Sequence, residues 1–135
     1  MKGFTLIEFL IVVALVSLFL SIAPGAEFLY PDVSVTSGTT YGTCTVGRIS
    51  GFFTLKYLKV VPDTYSTGTL KLQILTEAGQ TFYESGTITS GTAAELITNT
   101  DTYPAKPVKS NWTIKLLHSS AVTSNKTHRI YYLLE

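Results

Sequence analysis

The groups most able to do chemistry in this 135-residue chain are two histidines, nine acidic residues and one cysteine. Their spacing assembles no familiar site. His118 and His128 belong to no HxH, HExxH or cysteine-histidine pattern, so each is expected to be a half-exposed strand residue rather than a ligand or catalyst. Ser119 and Ser120 follow His118, but no serine lies in the GxSxG turn that lifts a nucleophile above a sheet. Asp63, Glu77, Glu84, Glu95 and Asp101 are dispersed, without the aspartate-rich pattern of a calcium loop. No glycine-rich phosphate loop follows a strand and opens a helix. An enzyme, a cofactor and a bound metal are therefore not expected.

Cys44 is alone, which excludes an intrachain disulfide and leaves a small buried hydrophobe as its ordinary role, with an intermolecular disulfide as the lesser reading. A net charge of +1 gives no electrostatic case for binding nucleic acid. Asn111-Trp112-Thr113 and Asn125-Lys126-Thr127 satisfy the N-glycosylation sequon. The eight tyrosines suit strand packing and could also face a carbohydrate or protein partner.

Glu8 is the titratable group in the most unusual place. Residues 4–23 read FTLIEFLIVVALVSLFLSIA, about 20 residues, long enough for a helix of roughly 30 Å that matches a bilayer's hydrocarbon core. Glu8 is the one charge in it, and Ser17 and Ser21 can return their hydroxyls to the helix backbone. Lys2 supplies the positive charge that would keep the N-terminus cytoplasmic. Pro24 and Gly25 are expected to end the helix, because proline lacks an N–H and glycine tolerates a chain reversal. A secretory signal peptide or a plain anchor would share these features, but neither accounts for a carboxylate that costs about 2.5 to 3.5 kcal/mol at a bilayer centre.

The run Lys2-Gly3-Phe4-Thr5-Leu6-Ile7-Glu8 resembles the processing motif of type IV pilins and of the pseudopilins of type II secretion systems. The resemblance implies that a prepilin peptidase cuts between Gly3 and Phe4 and that the new α-amino group of Phe4 is methylated. It also implies that Glu8, the fifth mature residue, pairs with the Phe4 amine of a neighbouring subunit. Such pairing is physically sensible: two charges that are each costly in an apolar filament core become tolerable together, and a misplaced subunit would leave them apart.

The implied partners are the prepilin peptidase, copies of the chain or other pilin-like subunits through the helix, the pilus or secretion assembly machinery, and the membrane. The implied location is a single pass in the cytoplasmic membrane with the head extracytoplasmic, then an extracellular pilus or a periplasmic pseudopilus. A membrane-anchored or secreted β-sandwich adhesin that does not polymerise is the alternative. Many family members continue the helix well beyond the membrane, whereas this chain turns β-like from residue 27, so a short stem is expected.

Three parts follow: a leader at 1–3, a hydrophobic transmembrane or filament-core helix at 4–26 and a head at 27–135. In the head the apolar residues alternate with polar ones, as at Leu70, Leu72 and Ile74 or at Ile130, Tyr132 and Leu134. From Phe53 to Val60 the alternation changes parity, which predicts either a bulge or a strand buried on both sides. Glu77-Ala78-Gly79 predicts a hairpin into residues 80–84. Counting weaker segments at 33–35, 43–48 and 94–98 gives seven to nine strands. The fold class is α+β, one N-terminal hydrophobic helix followed by an antiparallel β-sandwich, with a jelly roll as one arrangement. Residues 98–110, with Pro104, Lys106, Pro107 and Lys109, are expected to form a long exposed loop, as are residues 119–126.

Overall fold

The computed structural model describes residues 5–20, 27–47, 51–98 and 103–135. Among these residues one helix, α1 (Leu6–Leu20), precedes ten strands. Its Ile and Val residues are only middling helix formers, so propensity alone does not hold it. An apolar segment away from water has a stronger reason to be helical, since a helix satisfies its own backbone groups.

The strands form two antiparallel sheets. The six-stranded sheet is built on two long central strands, β4 (Phe52–Val61) and β10 (Lys126–Leu134), which pair with each other. The outer edge of β10 carries β1 (Glu27–Leu29) and then β2 (Asp32–Val35). The outer edge of β4 carries β7 (Ala94–Thr98) and β8 (Lys106–Lys109). The four-stranded sheet has the order β3-β9-β5-β6, made of Tyr41–Thr45, Thr113–His118, Leu70–Leu75 and Thr81–Glu84.

β1 and β2 keep one register along β10, from Glu27 opposite Leu134 to Val35 opposite Lys126. Pro31 divides them because it has no N–H to donate, yet its carbonyl still accepts from the Ile130 N–H at 3.0 Å. A sheet edge is where such a proline is tolerated. Of the two readings of the parity change, the bulge is present: Tyr57 faces Leu133 while Leu55 faces Leu134, leaving Lys56 as the extra residue. The predicted hairpin is present too, with Gly79 at φ 81° and its N–H donating to the Thr76 carbonyl at 2.9 Å.

Three expectations need correction. Ten strands are described rather than seven to nine, since β1 and β8 were not foreseen. Within 98–110 the Lys-Pro-Val-Lys stretch is strand β8 rather than loop, because Val108 is buried in the core and an edge strand accommodates Pro107 and flanking lysines. Both histidines are buried rather than half exposed.

Inward side chains of both sheets contribute to one core cluster, Leu55, Leu58, Val60, Ile130, Tyr132 and Leu134 from one sheet and Leu70, Leu72, Ile74, Ile114 and Leu116 from the other. Burying each of these contributes about 1.5 to 3 kcal/mol relative to exposure. Cys44 packs against this cluster, and burial pushes its thiol up to about 11. The chain crosses between sheets where β2 meets β3, and there Gly42 lies so close to Ser34 that an added Cβ would fall 2.3 Å from its carbonyl oxygen.

Candidate functional site

The start of α1 is a reciprocal cap. The Thr5 carbonyl accepts from the Phe9 N–H at 3.0 Å, which makes Thr5 the residue that opens the helix. Thr5 Oγ1 accepts from the Glu8 N–H at 3.2 Å, and Glu8 Oε2 accepts from the Thr5 N–H at 3.0 Å. Two helix N–H groups that lack partners in the helix are thereby satisfied. The carboxylate also sits at the end where the helix dipole is positive. The Thr-x-x-Glu spacing that signals this arrangement stands in the sequence at residues 5–8. Reading Glu8 only as a partner for another subunit overlooked it.

Behind the cap the helix has no polar face among its described side chains except Glu8. Leu6 is 74% exposed and Val13 still 44%, with Ile7, Phe9, Leu10, Ile11 and Val12 between them. A helix apolar all round is stable only when something covers it on every side. At 1.5 Å per residue the 15 residues of α1 extend about 22 Å. Among the described residues no helix is long and apolar enough to cross a membrane. Gly3 and Phe4, the expected cleavage and methylation positions, lie outside the described residues, as do Lys2, Pro24 and Gly25. Of the expected assembly residues, Glu8 is therefore the one whose surroundings are described.

Elsewhere the structure brings His118 and His128 together. Their Nε2 atoms are 2.9 Å apart, and both side chains are buried. The Asp63 N–H donates to His128 Nδ1 at 3.0 Å, and the Tyr65 ring meets His118 edge-on with centroids 5.0 Å apart. Burial lowers both pKa values, His128 to about 4, and the neighbouring Lys126 acts in the same direction. Nothing in the spacing of the two residues foretold this contact, which depends on β9 and β10 lying in different sheets.

The outward face of β1, β10 and β4 carries an aromatic patch. Phe28, Leu133 and Tyr57 stand opposite one another across the three strands, with Tyr131 and Lys59 beside them. Phe28, Tyr57, Lys59, Val61 and Tyr131 line a shallow depression of about 230 Å³. Val61 and Tyr131 also border a second depression, where Arg129 holds Asp32 in a two-pronged ion pair at 2.8 and 3.2 Å. Asn111 and Asn125 are both exposed, and Asn125 Oδ1 accepts from the Ser37 N–H at 2.9 Å.

Residues 1–24 match the family described as "Prokaryotic N-terminal methylation motif". That motif is typical of type IV pilins, so the N-terminal segment is of the pilin type, as its sequence resemblance implied. A solved structure described as "Bacillus endospore appendages form a novel family of disulfide-linked pili" aligns over 81% of this chain and 84% of its own, with 17% identity and a TM-score of 0.48. No curated protein matches the chain.

Proposed function

We propose that the chain is a structural subunit of a type IV pilus-like filament, a pilin, minor pilin or pseudopilin, with no catalytic role. The observation that carries this reading is the methylation-motif match over residues 1–24, a stretch that contains α1, whose apolar side chains from Leu6 to Val13 are uncovered in the single chain. In this reading residues 1–3 are removed by a prepilin peptidase, Phe4 becomes the methylated N-terminus, and residues 4–26 hold the subunit in the cytoplasmic membrane before assembly. The same helix then packs against other subunits in the filament, with the head at 27–135 outside.

The head is proposed to be a jelly-roll sandwich. Support comes from the pairs β2·β10, β3·β9, β4·β7 and β5·β6, which are the rungs of one long antiparallel hairpin; folding that hairpin over brings β10 beside β4 and β9 beside β5. Pairing of the strands this way leaves the helix outside the head's core, as a filament or membrane element requires.

Glu8 has two roles in succession. In the separate subunit its carboxylate caps α1 through Thr5, and in the filament it turns to the methylated amine of Phe4 in a neighbour. Mass spectrometry of the chain recovered from cells that assemble such filaments tests the proposal: an N-terminus at methylated Phe4 is expected. A mature chain that keeps Met1, or one cut after Ala23, would overturn it. Gly3→Leu is expected to abolish processing, because the peptidase must approach the backbone there.

A further inference from the structure

We propose that His118 and His128 form an acid-sensitive clasp between the two sheets, one proton shared between two rings in neutral solution and the contact broken when a second proton arrives. The argument begins from hydrogen-bond direction. His128 Nδ1 accepts from the Asp63 N–H, so this nitrogen carries no proton, and the proton of the neutral ring sits on Nε2. That Nε2–H donates across 2.9 Å to His118 Nε2. His118 Nε2 is then an acceptor, and its proton sits on Nδ1, a buried position with no hydrogen-bond partner among the described residues. Every atom of the chain from Asp63 through both rings therefore has one assigned role.

An added proton has no comfortable place in this arrangement. On His118 Nε2 it would face the N–H of His128. On His128 Nδ1 it would face the N–H of Asp63. Either site sets two donors head to head and puts a positive charge where His128 is 0% and His118 1% exposed. The surroundings divide in sign. Asp63, whose carboxylate is held below its ordinary range chiefly by the Thr127 N–H at 3.2 Å, favours the charged ring of His128, while Lys126 opposes charge on both rings. Tyr65, the remaining titratable neighbour, stays neutral through this range because burial raises its pKa. Desolvation outweighs the attraction of Asp63, so folded His128 stays neutral down to about pH 4, and burial shifts His118 in the same direction.

The sign of the pH effect follows. Both rings have folded pKa values below the unfolded value near 6.5, so the unfolded chain binds more protons as acid is added. The stability supplied by the clasp is complete above about pH 6.5 and is lost as the pH falls toward about 4, where folded His128 also takes up a proton. His128 alone raises the unfolding constant about tenfold per pH unit across that window, and His118 acts in the same direction. The clasp joins the end of β9 to the start of β10, beside the contact between residues 36–40 and 119–125, where the Gly38 N–H donates to the Val122 carbonyl at 2.8 Å and the Val122 N–H to the Thr39 carbonyl at 3.0 Å. Acid is expected to open the head at this end first.

The test uses the full chain in detergent. Nitrogen-15 NMR of the imidazoles is expected to show His128 protonated on Nε2 and His118 on Nδ1 at pH 7, with both rings titrating below 6.5 and His128 near 4. Amide exchange in residues 36–40 and 119–125 is expected to accelerate between pH 6.5 and 4.5, beyond the slowing that acid imposes on the intrinsic rate. A ring titrating with its midpoint near 6.5, the opposite tautomers, or no acid-dependent opening of these segments would overturn the clasp. The double variant His118→Phe/His128→Leu is expected to lose the steep fall of the denaturation midpoint between pH 6.5 and 4.5; an unchanged fall would assign the effect to other groups. If that variant does not fold, the tautomer and titration measurements on the natural chain decide alone.

Discussion

In β4, β5, β9 and β10 the apolar side chains that point inward are buried to within a few per cent, whereas in α1 those from Leu6 to Val13 remain 44 to 74% exposed. The inward faces of the head are thus complete in their apolar contacts, and each of its sheets gives the other a surface to bury. The helix has the opposite character: it satisfies its backbone by itself, through its own hydrogen bonds and the Thr5–Glu8 cap, but leaves its side chains for another molecule or a lipid to cover. The difference separates stability from assembly. A change in the head should act on folding, and a change in the helix on association.

Removing residues 131–135 should have the largest effect. It deletes four of the six paired positions between β10 and β4, the core residues Tyr132 and Leu134, and the reciprocal backbone bonds of Glu135 with Thr54 at 2.8 and 3.0 Å. The β signal in circular dichroism should disappear while the helical part survives in detergent. Retention of a protease-resistant β head would show that the last strand is dispensable.

Next in size is Leu116→Ala, a truncation in the centre of the four-stranded sheet, expected to cost about 2 to 5 kcal/mol. Leu10→Ala, on the exposed helix, should shift the denaturation midpoint of the head by less than about 0.5 kcal/mol yet reduce assembly. Comparable losses of head stability from the two would erase the contrast between the regions.

Gly42→Ala sharpens the comparison within the head. The new methyl meets the Ser34 carbonyl and the Val33 side chain, so β2 and β3 must separate, at a cost of about 1 to 3 kcal/mol. At Gly79 the same substitution meets no atom within 4 Å and is opposed instead by φ 81°, which an L-residue adopts with strain. Equal denaturation midpoints for wild type and Gly42→Ala would mean that the close approach of the two strands is relaxed in solution.

The smallest expected effects belong to the cap. Thr5→Ala should weaken the start of α1 by about 0.5 to 2 kcal/mol, seen as lost helicity, and leave the head unchanged. Glu8→Gln separates the two roles of this residue, because glutamine can still cap through Thr5 but carries no charge. Helix content is expected to persist while filament assembly falls. Normal assembly of Glu8→Gln would make the carboxylate's charge unnecessary and leave the cap as its role.

Periodicity made much of this molecule legible in advance. The alternation at residues 70–74 and 130–134 marks β5 and β10, the parity change after Tyr57 marks the bulge at Lys56, and Gly79 marks the hairpin turn. β1 and β8 escaped because they are three and four residues long and end two residues before Pro31 or contain Pro107, so local composition favours a turn. The pairing partners β10 and β4 decide the matter for them. The cap was legible in Thr5 and Glu8, but the same glutamate also fits the pilin-like motif, and one reading hid the other.

By itself the sequence determined what its own local chemistry controls: the methylation-type N-terminus, an apolar segment that must be helical wherever water is excluded, and strands written in two-residue alternation. Only the tertiary structure decided which strands share a sheet, that Gly42 must be a glycine, and that His118 and His128 meet. Such contacts join residues on separate strands, and their geometry follows from how two sheets pack over one core rather than from anything adjacent residues can encode.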